Sequence, residues 1–427
     1  MLPRDNLVPR ITRARNQGGP HTDLPAPPSR FLFESALRMA LLNIHATLPE
    51  KGRDLRLDLF RGVANWAIFL DHIPDNVVNW ITTRNYGFSD AADLFVFISG
   101  YTASFVYARM MLERGFVVGA TRLTKRVWQL YVAHIILFVI YIATISSLAL
   151  RYGDSEILNE FNVAGLVDNA TETLKQGLFL RFKPLNLDVL PLYIVLMAIF
   201  PPILWFMLRM PNLVMALSIL LWLVARHFEW NLSAYPVGGW YFNPFCWQVL
   251  FVFGSWCALG GARQSMRLIT SPITLYFCLG YLLFALVMTM AGRFPDFGAL
   301  FPQWLYSAFN PNDKTNLAPY RFVHFAVIVI LAIRFVPKDW PGLEWKVFDP
   351  VIVCGQQSLA VFCVGVFLSF IGHFVLMMSS GSLLSQIFVS VAGIAMMTIV
   401  AYYISWSKRQ DKPNAKPTPK PTEAKVG

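Results

Sequence analysis

Charge is scarce in this sequence. Only 14% of its 427 residues are Asp, Glu, Lys or Arg, against about 25% in a soluble globular domain. With 56% hydrophobic residues, that scarcity excludes an ordinary soluble enzyme and predicts a polytopic membrane protein. Cysteine is scarce too. Cys246, Cys257, Cys278, Cys354 and Cys363 lie in apolar runs with no CxxC spacing. They are expected as small buried apolar residues, not as disulfides or thiolate ligands. No cluster of His, Cys and carboxylate has metal-ligand spacing, so no metal is expected. The first thirty residues contain no apolar stretch, so no cleavable signal peptide is expected. Nucleic-acid-binding motifs are missing. The net charge of +11 is read as membrane topology and contact with the lipid bilayer, not nucleic acid.

What remains is long apolar runs. Ten candidate helical spans fall at about 56–74, 91–112, 127–150, 187–208, 212–227, 244–261, 271–291, 319–336, 350–376 and 384–406; a helix needs ~20 residues to cross the hydrocarbon, and the fifth and sixth are short of that. The fold class expected is all-α, a polytopic membrane helix bundle with additional interfacial helices. The domain organisation is a polar, Pro-rich tail (1–30), an amphipathic interfacial helix (31–46), the transmembrane domain (50–407) and a Lys/Pro tail (408–427). Lys and Arg cluster in the tails and in alternate loops, which places both termini in the cytoplasm. The loops 151–186, 228–243 and 292–318 then face outwards, rich in aromatic residues, Gly and Pro.

The first span is the informative one. In RDLRLDLFRGVANWAIFLDHIPDN (53–76), the residues Asp54, Asp58, Arg61, Asn65, Ile68 and His72 follow a 4, 3, 4, 3, 4 spacing. On a helix they share about 80° of arc. Charge inside a membrane costs a few kcal/mol per group, so such a stripe must line a pocket or be paired. Asp58 and Arg61 could simply pair with each other. His72 is a side chain able to act as a base near neutral pH. Arg61 and His72 are eleven residues apart, about 16 Å along a helix. That is the reach of a pantetheine arm. A cation on the inner half and a base on the outer half suit an enzyme that draws in acyl-CoA and presents its thioester outside.

Those residues also carry a resemblance. DLFRGVANWAIFLDH, an Arg and a His separated by ten residues, resembles the first-helix motif of the membrane acyltransferase-3 superfamily. SDAADLFVFISGYTASFVYAR resembles its second-helix motif, with Asp93, Ser99 and Gly100 in place. LNLDVLPLYI, GGWYFNPFCWQVLFVFG, DKTNLAPYRFVHF and CGQQSLAVFCVG make the chain similar, over about residues 50–376, to the OpgC family. That family succinylates osmoregulated periplasmic glucans. The resemblance implies a bacterial inner-membrane O-acyltransferase. Acyl-CoA, with succinyl-CoA foremost, is its donor substrate rather than a permanently bound cofactor. The acceptor is a periplasmic β-glucan, and an oligomer remains open. Gln356 stands where the family pattern implies a basic residue.

His72 is the expected catalytic base, either taking the proton of the sugar hydroxyl or carrying the acyl group itself. Asp71 or Asp93 is expected to hold the imidazole tautomer. Asp93 is preferred because adjacent helical residues do not face each other. Arg61, Arg122, Lys125 and Arg126 are candidates for the pantetheine and phosphates of CoA. Asn65 and Ser99 are candidate thioester donors, with Asp58 beside them on the substrate path. Trp240, Asn243, Trp247 and Gln248, with Trp304, are read as a sugar platform. Lys314, Asn316, Arg321 and His324 form a second polar cluster, in which a cation could meet the succinyl carboxylate. The rival function is a transporter or flippase for a glycan or a proton-coupled solute, since charged intramembrane stripes serve transport as well.

Overall fold

The computed structural model describes residues 45–48, 52–152, 156–379 and 381–411. The N-terminal tail, nearly all of the 31–46 segment and the C-terminal tail beyond 411 lie outside the described residues. Ten long helices follow the ten apolar stretches. They are α1 (Leu55–Asp71), α2 (Ala91–Arg114), α3 (Phe116–Tyr152), α4 (Val189–Arg209), α5 (Pro211–His227), α6 (Pro244–Trp256), α7 (Pro272–Arg293), α8 (Pro319–Phe335), α9 (Ser358–Met378) and α10 (Leu383–Gln410). Among the described residues no strand forms, and one isolated bridge joins Ser233 to Gly239. The protein is an all-α, multi-pass membrane helix bundle.

Among the described residues, seven helices are long and apolar enough to cross a membrane: α2, α3, α4, α6 with its continuation to Gln264, α7, α9 and α10. The other three, α1, α5 and α8, have 17 residues each. That is about 25 Å of helix, somewhat short of a hydrocarbon core of roughly 30 Å.

Local chemistry sets the ends of the helices that matter here. Asp54 caps α1 by accepting from the Arg56 amide. The helix stops at His72, two residues before Pro74, which cannot extend it. Asp90 and Asp93 start α2 as a reciprocal capping box. Proline at the first helical turn opens α5, α6, α7 and α8.

Small residues let the central helices approach closely. A Cβ on Gly62 of α1 would strike the Val351 carbonyl, and one on Gly355 would strike the Asp58 carbonyl. The same device joins α2 to α6, where Gly100 and Gly254 face the carbonyls of Phe251 and Phe97. α1 is thus clamped on one side by the short helix Asp349–Gln356. Phe69, Leu70 and Ile73 fill a core with Val361, Leu376, Met397 and Ala401. That packing fixes where the C-terminal end of α1 points.

Candidate active site

The C-terminal end of α1 opens into a cavity of about 1460 Å³. Its walls come from the connections at one end of the bundle: 73–90 after α1, 181–189 before α4, 234–242 before α6 and 309–314 before α8. The end of α7 closes it with Thr289, Gly292 and Arg293. The lining mixes charge with aromatic rings, among them Asp71, Arg84, Trp80, Tyr241 and Phe242. Such a surface suits a polyhydroxylated ligand.

His72 lies on this wall. Its Nδ1 is 2.5 Å from the carbonyl oxygen of Ile68, one turn back. A carbonyl oxygen only accepts, so Nδ1 carries the hydrogen and Nε2 keeps its lone pair. Among the described residues the ring has no second hydrogen-bond partner. The backbone around it is pinned as well. The His72 carbonyl accepts from Asn186 Nδ2 at 3.4 Å. The preceding Asp71 accepts from Thr82 Oγ at 2.7 Å through its carboxylate and from Arg84 Nη1 at 2.9 Å through its carbonyl.

Opposite stands a closed ionic corner. Arg321 is 2% exposed and grips both oxygens of Asp93, with Nη2 also 3.0 Å from Asp90. Lys314 completes the group at 2.6 Å from Asp90. Burial alone would raise the Asp90 carboxyl. Lys314 and Arg321 outweigh that and hold it well below its ordinary value.

A family model described as OpgC protein matches residues 53–409, so it covers the cavity and nearly all of the described chain. The chain belongs to the OpgC family. No curated protein and no solved structure matches it. Membership makes this a transferase that modifies osmoregulated periplasmic glucans.

In this OpgC-family chain, four residues singled out from the sequence meet at the cavity: Asp71, His72, Lys314 and Arg321. Asp93 does not hold the imidazole. Its carboxylate is fully used by Arg321 and the Asp90 amide, and the backbone of α1 orients His72 instead. Asp71 does not hold it either, because its carboxylate turns to Thr82. The alternative Asp58–Arg61 pair does not form; Asp58 pairs with Arg53. Arg61 donates to Thr102 Oγ at 2.8 Å and has no ion pair among the described residues. It lies outside the cavity lining, further back along α1.

The sugar platform read from the sequence is scaffolding. Trp247 is fully buried and donates to the carbonyls of Lys314 and Thr315. Gln248 exchanges hydrogen bonds with Ser218. Asn243 caps α6 and bonds Trp230 and Asn316. Trp240 is buried under Lys183, and Trp304 is exposed away from the cavity. The rings that do line the wall include Tyr235, Tyr241 and Phe242, the last packed edge-on against Trp247. Asn316 braces Arg226 and Trp222 through its carbonyl. His324 is buried, with Nδ1 taking hydrogen bonds from the Ser89 amide and hydroxyl.

Ser99 spends its hydroxyl on the Phe95 carbonyl within its own helix. Asn65 reaches the Ser358 carbonyl at 3.5 Å, and its buried Oδ1 has no partner. Arg122 and Lys125 are exposed on α3, and Arg126 contacts Gln129 at 3.3 Å. Arg126 is near enough to Arg61 for its charge to act there. Sequence reasoning passed over Lys183, Asn186 and Asp188 as site residues, yet all three line the cavity. The polar residues interrupting the apolar run KPLNLDVLPLYI were the available signal.

Proposed function

We propose that this protein is an integral membrane O-acyltransferase of the bacterial inner membrane, with both termini cytoplasmic. It moves an acyl group, succinyl by preference, from cytoplasmic acyl-CoA to hydroxyls of periplasmic glucans. The observation that carries this reading is the His72 ring, with Nδ1 tied to a backbone carbonyl on the wall of a large polar cavity. Nε2 then takes the proton of a sugar hydroxyl as its oxygen attacks the thioester carbonyl. The carbon–oxygen bond forms, the carbon–sulfur bond breaks, and the imidazolium returns its proton to the departing thiolate. CoA leaves as the free thiol. Arg61, about 16 Å back along α1 and free of an acidic partner among the described residues, suits the phosphate end of the donor, with Arg126 nearby.

The test is incubation of the purified protein with radiolabelled succinyl-CoA and a neutral β-glucan. Label should reach the glucan with the wild type and fail to do so with His72→Ala. Absence of transfer to any glucan, accompanied by solute uptake in vesicles, would favour a transporter or flippase.

A further inference from the structure

The cavity lining includes a further cation, Lys183, whose state differs from that of Lys314 and Arg321. Lys183 is 7% exposed. Its ammonium has no ion pair among the described residues. Nζ makes one long hydrogen bond, to the Leu180 carbonyl at 3.4 Å, and lies 4.0 Å above the Trp240 ring. An ammonium has three donors, so this one is under-satisfied at a cavity wall.

Its loop cannot swing it into water. The Lys183 carbonyl accepts from Asn162 Nδ2 at 2.9 Å. The Leu185 amide donates to the Phe161 carbonyl at 3.0 Å, and the Arg181 carbonyl accepts from the Tyr235 amide at 2.9 Å. Three residues on, Asn186 is bonded to His72. Lys183, Asn186 and His72 all line the same cavity. A buried charge left unpaired destabilises the protein, and an anion arriving in the cavity removes that penalty. Asp188 is the acid that feels Lys183, but the two form no ion pair.

Given the acyltransferase reading, we propose that Lys183 receives the free carboxylate of a dicarboxylic acyl group. It thereby makes the enzyme select an anionic acyl chain over a neutral one of equal length. The charges first expected to do this, Lys314 and Arg321, are already neutralised by Asp90 and Asp93.

The experiment compares succinyl-CoA with butyryl-CoA as donors to an unsubstituted, neutral glucan, so that the acyl group is the one source of a carboxylate. Wild type should favour succinyl by about 100-fold or more in kcat/KM. Lys183→Met should lose about 100-fold with succinyl while keeping butyryl transfer within about threefold. Lys183→Arg should retain the preference. Wild type transferring neither donor would refute the acyltransferase reading. Wild-type succinyl transfer with an unchanged preference in Lys183→Met would overturn this inference alone. So would loss of both donors in both variants, because charge would then not be what the position supplies. A defect confined to glucans already carrying succinyl groups would assign the ammonium to the acceptor and overturn it too.

Discussion

Two corners of one cavity treat charge in opposite ways. In the first, Asp90, Asp93, Lys314 and Arg321 form one ionic cluster in which each cation is paired with an acid. In the second, His72 keeps an unshared nitrogen, and Lys183 keeps donors without acceptors. The closed corner ties the start of α2 to α8 and shapes the wall. The open corner is where an incoming substrate would complete the hydrogen bonding. In the proposed enzyme, the charges that meet substrate are those whose pairing is unfinished.

The largest expected effect belongs to the open corner. His72→Gln should lower kcat for acyl transfer by about 1000-fold and leave thermal unfolding unchanged. A variant within tenfold of wild type would erase the distinction between the corners. The closed corner should fail in stability instead. Arg321→Met leaves two buried carboxylates without their shared cation, at a cost of about 3–5 kcal/mol. Unfolding in detergent should show a lowered Tm, partly recovered by adding Asp93→Asn. An unchanged Tm would mean the corner is not structural.

A smaller effect follows from pH. Burial pulls the Lys183 ammonium down to about 8, with Asp188 before α4 opposing the shift and His134 on α3 the other titratable group that feels it. Above that pH the neutral amine cannot hold a carboxylate. In the proposed enzyme, kcat/KM for succinyl-CoA should then fall by up to about tenfold per pH unit, relative to butyryl-CoA. Equal profiles for the two donors would contradict it. The smallest effect is expected far from both corners. Arg122→Ala and Lys125→Ala alter exposed side chains and should change stability by less than about 0.5 kcal/mol, with transfer rates within about twofold. A large rise in KM for the donor would restore those residues to the CoA site.

The ten helices and the polar face of α1 were legible because both rest on short-range rules. Apolar length marks a helix in lipid, and a 3.6-residue period marks its faces. His72 was found that way. The pairings were not legible, because the fold supplies them from a distance. Asp93 meets Arg321 across 228 residues, and no local pattern announces that. Asp58 chose Arg53 over Arg61 because Arg53 precedes the first turn and folds back onto it. The Trp240 and Trp247 rings looked like a ligand platform from composition alone. Tertiary packing turned them inward and left the exposed Tyr241 ring on the wall. Lys183 escaped notice because its meaning depends on Trp240 behind it and on its having no ion pair among the described residues.

The central claim is that one imidazole links a thioester arriving from inside with a sugar waiting outside. Reconstitution in sealed vesicles tests it most directly, with labelled succinyl-CoA confined to one face and glucan to the other. Label should appear on the glucan across the bilayer with wild-type protein and not with His72→Gln. Transfer only when donor and glucan share a face, or undiminished transfer by His72→Gln, would contradict the account.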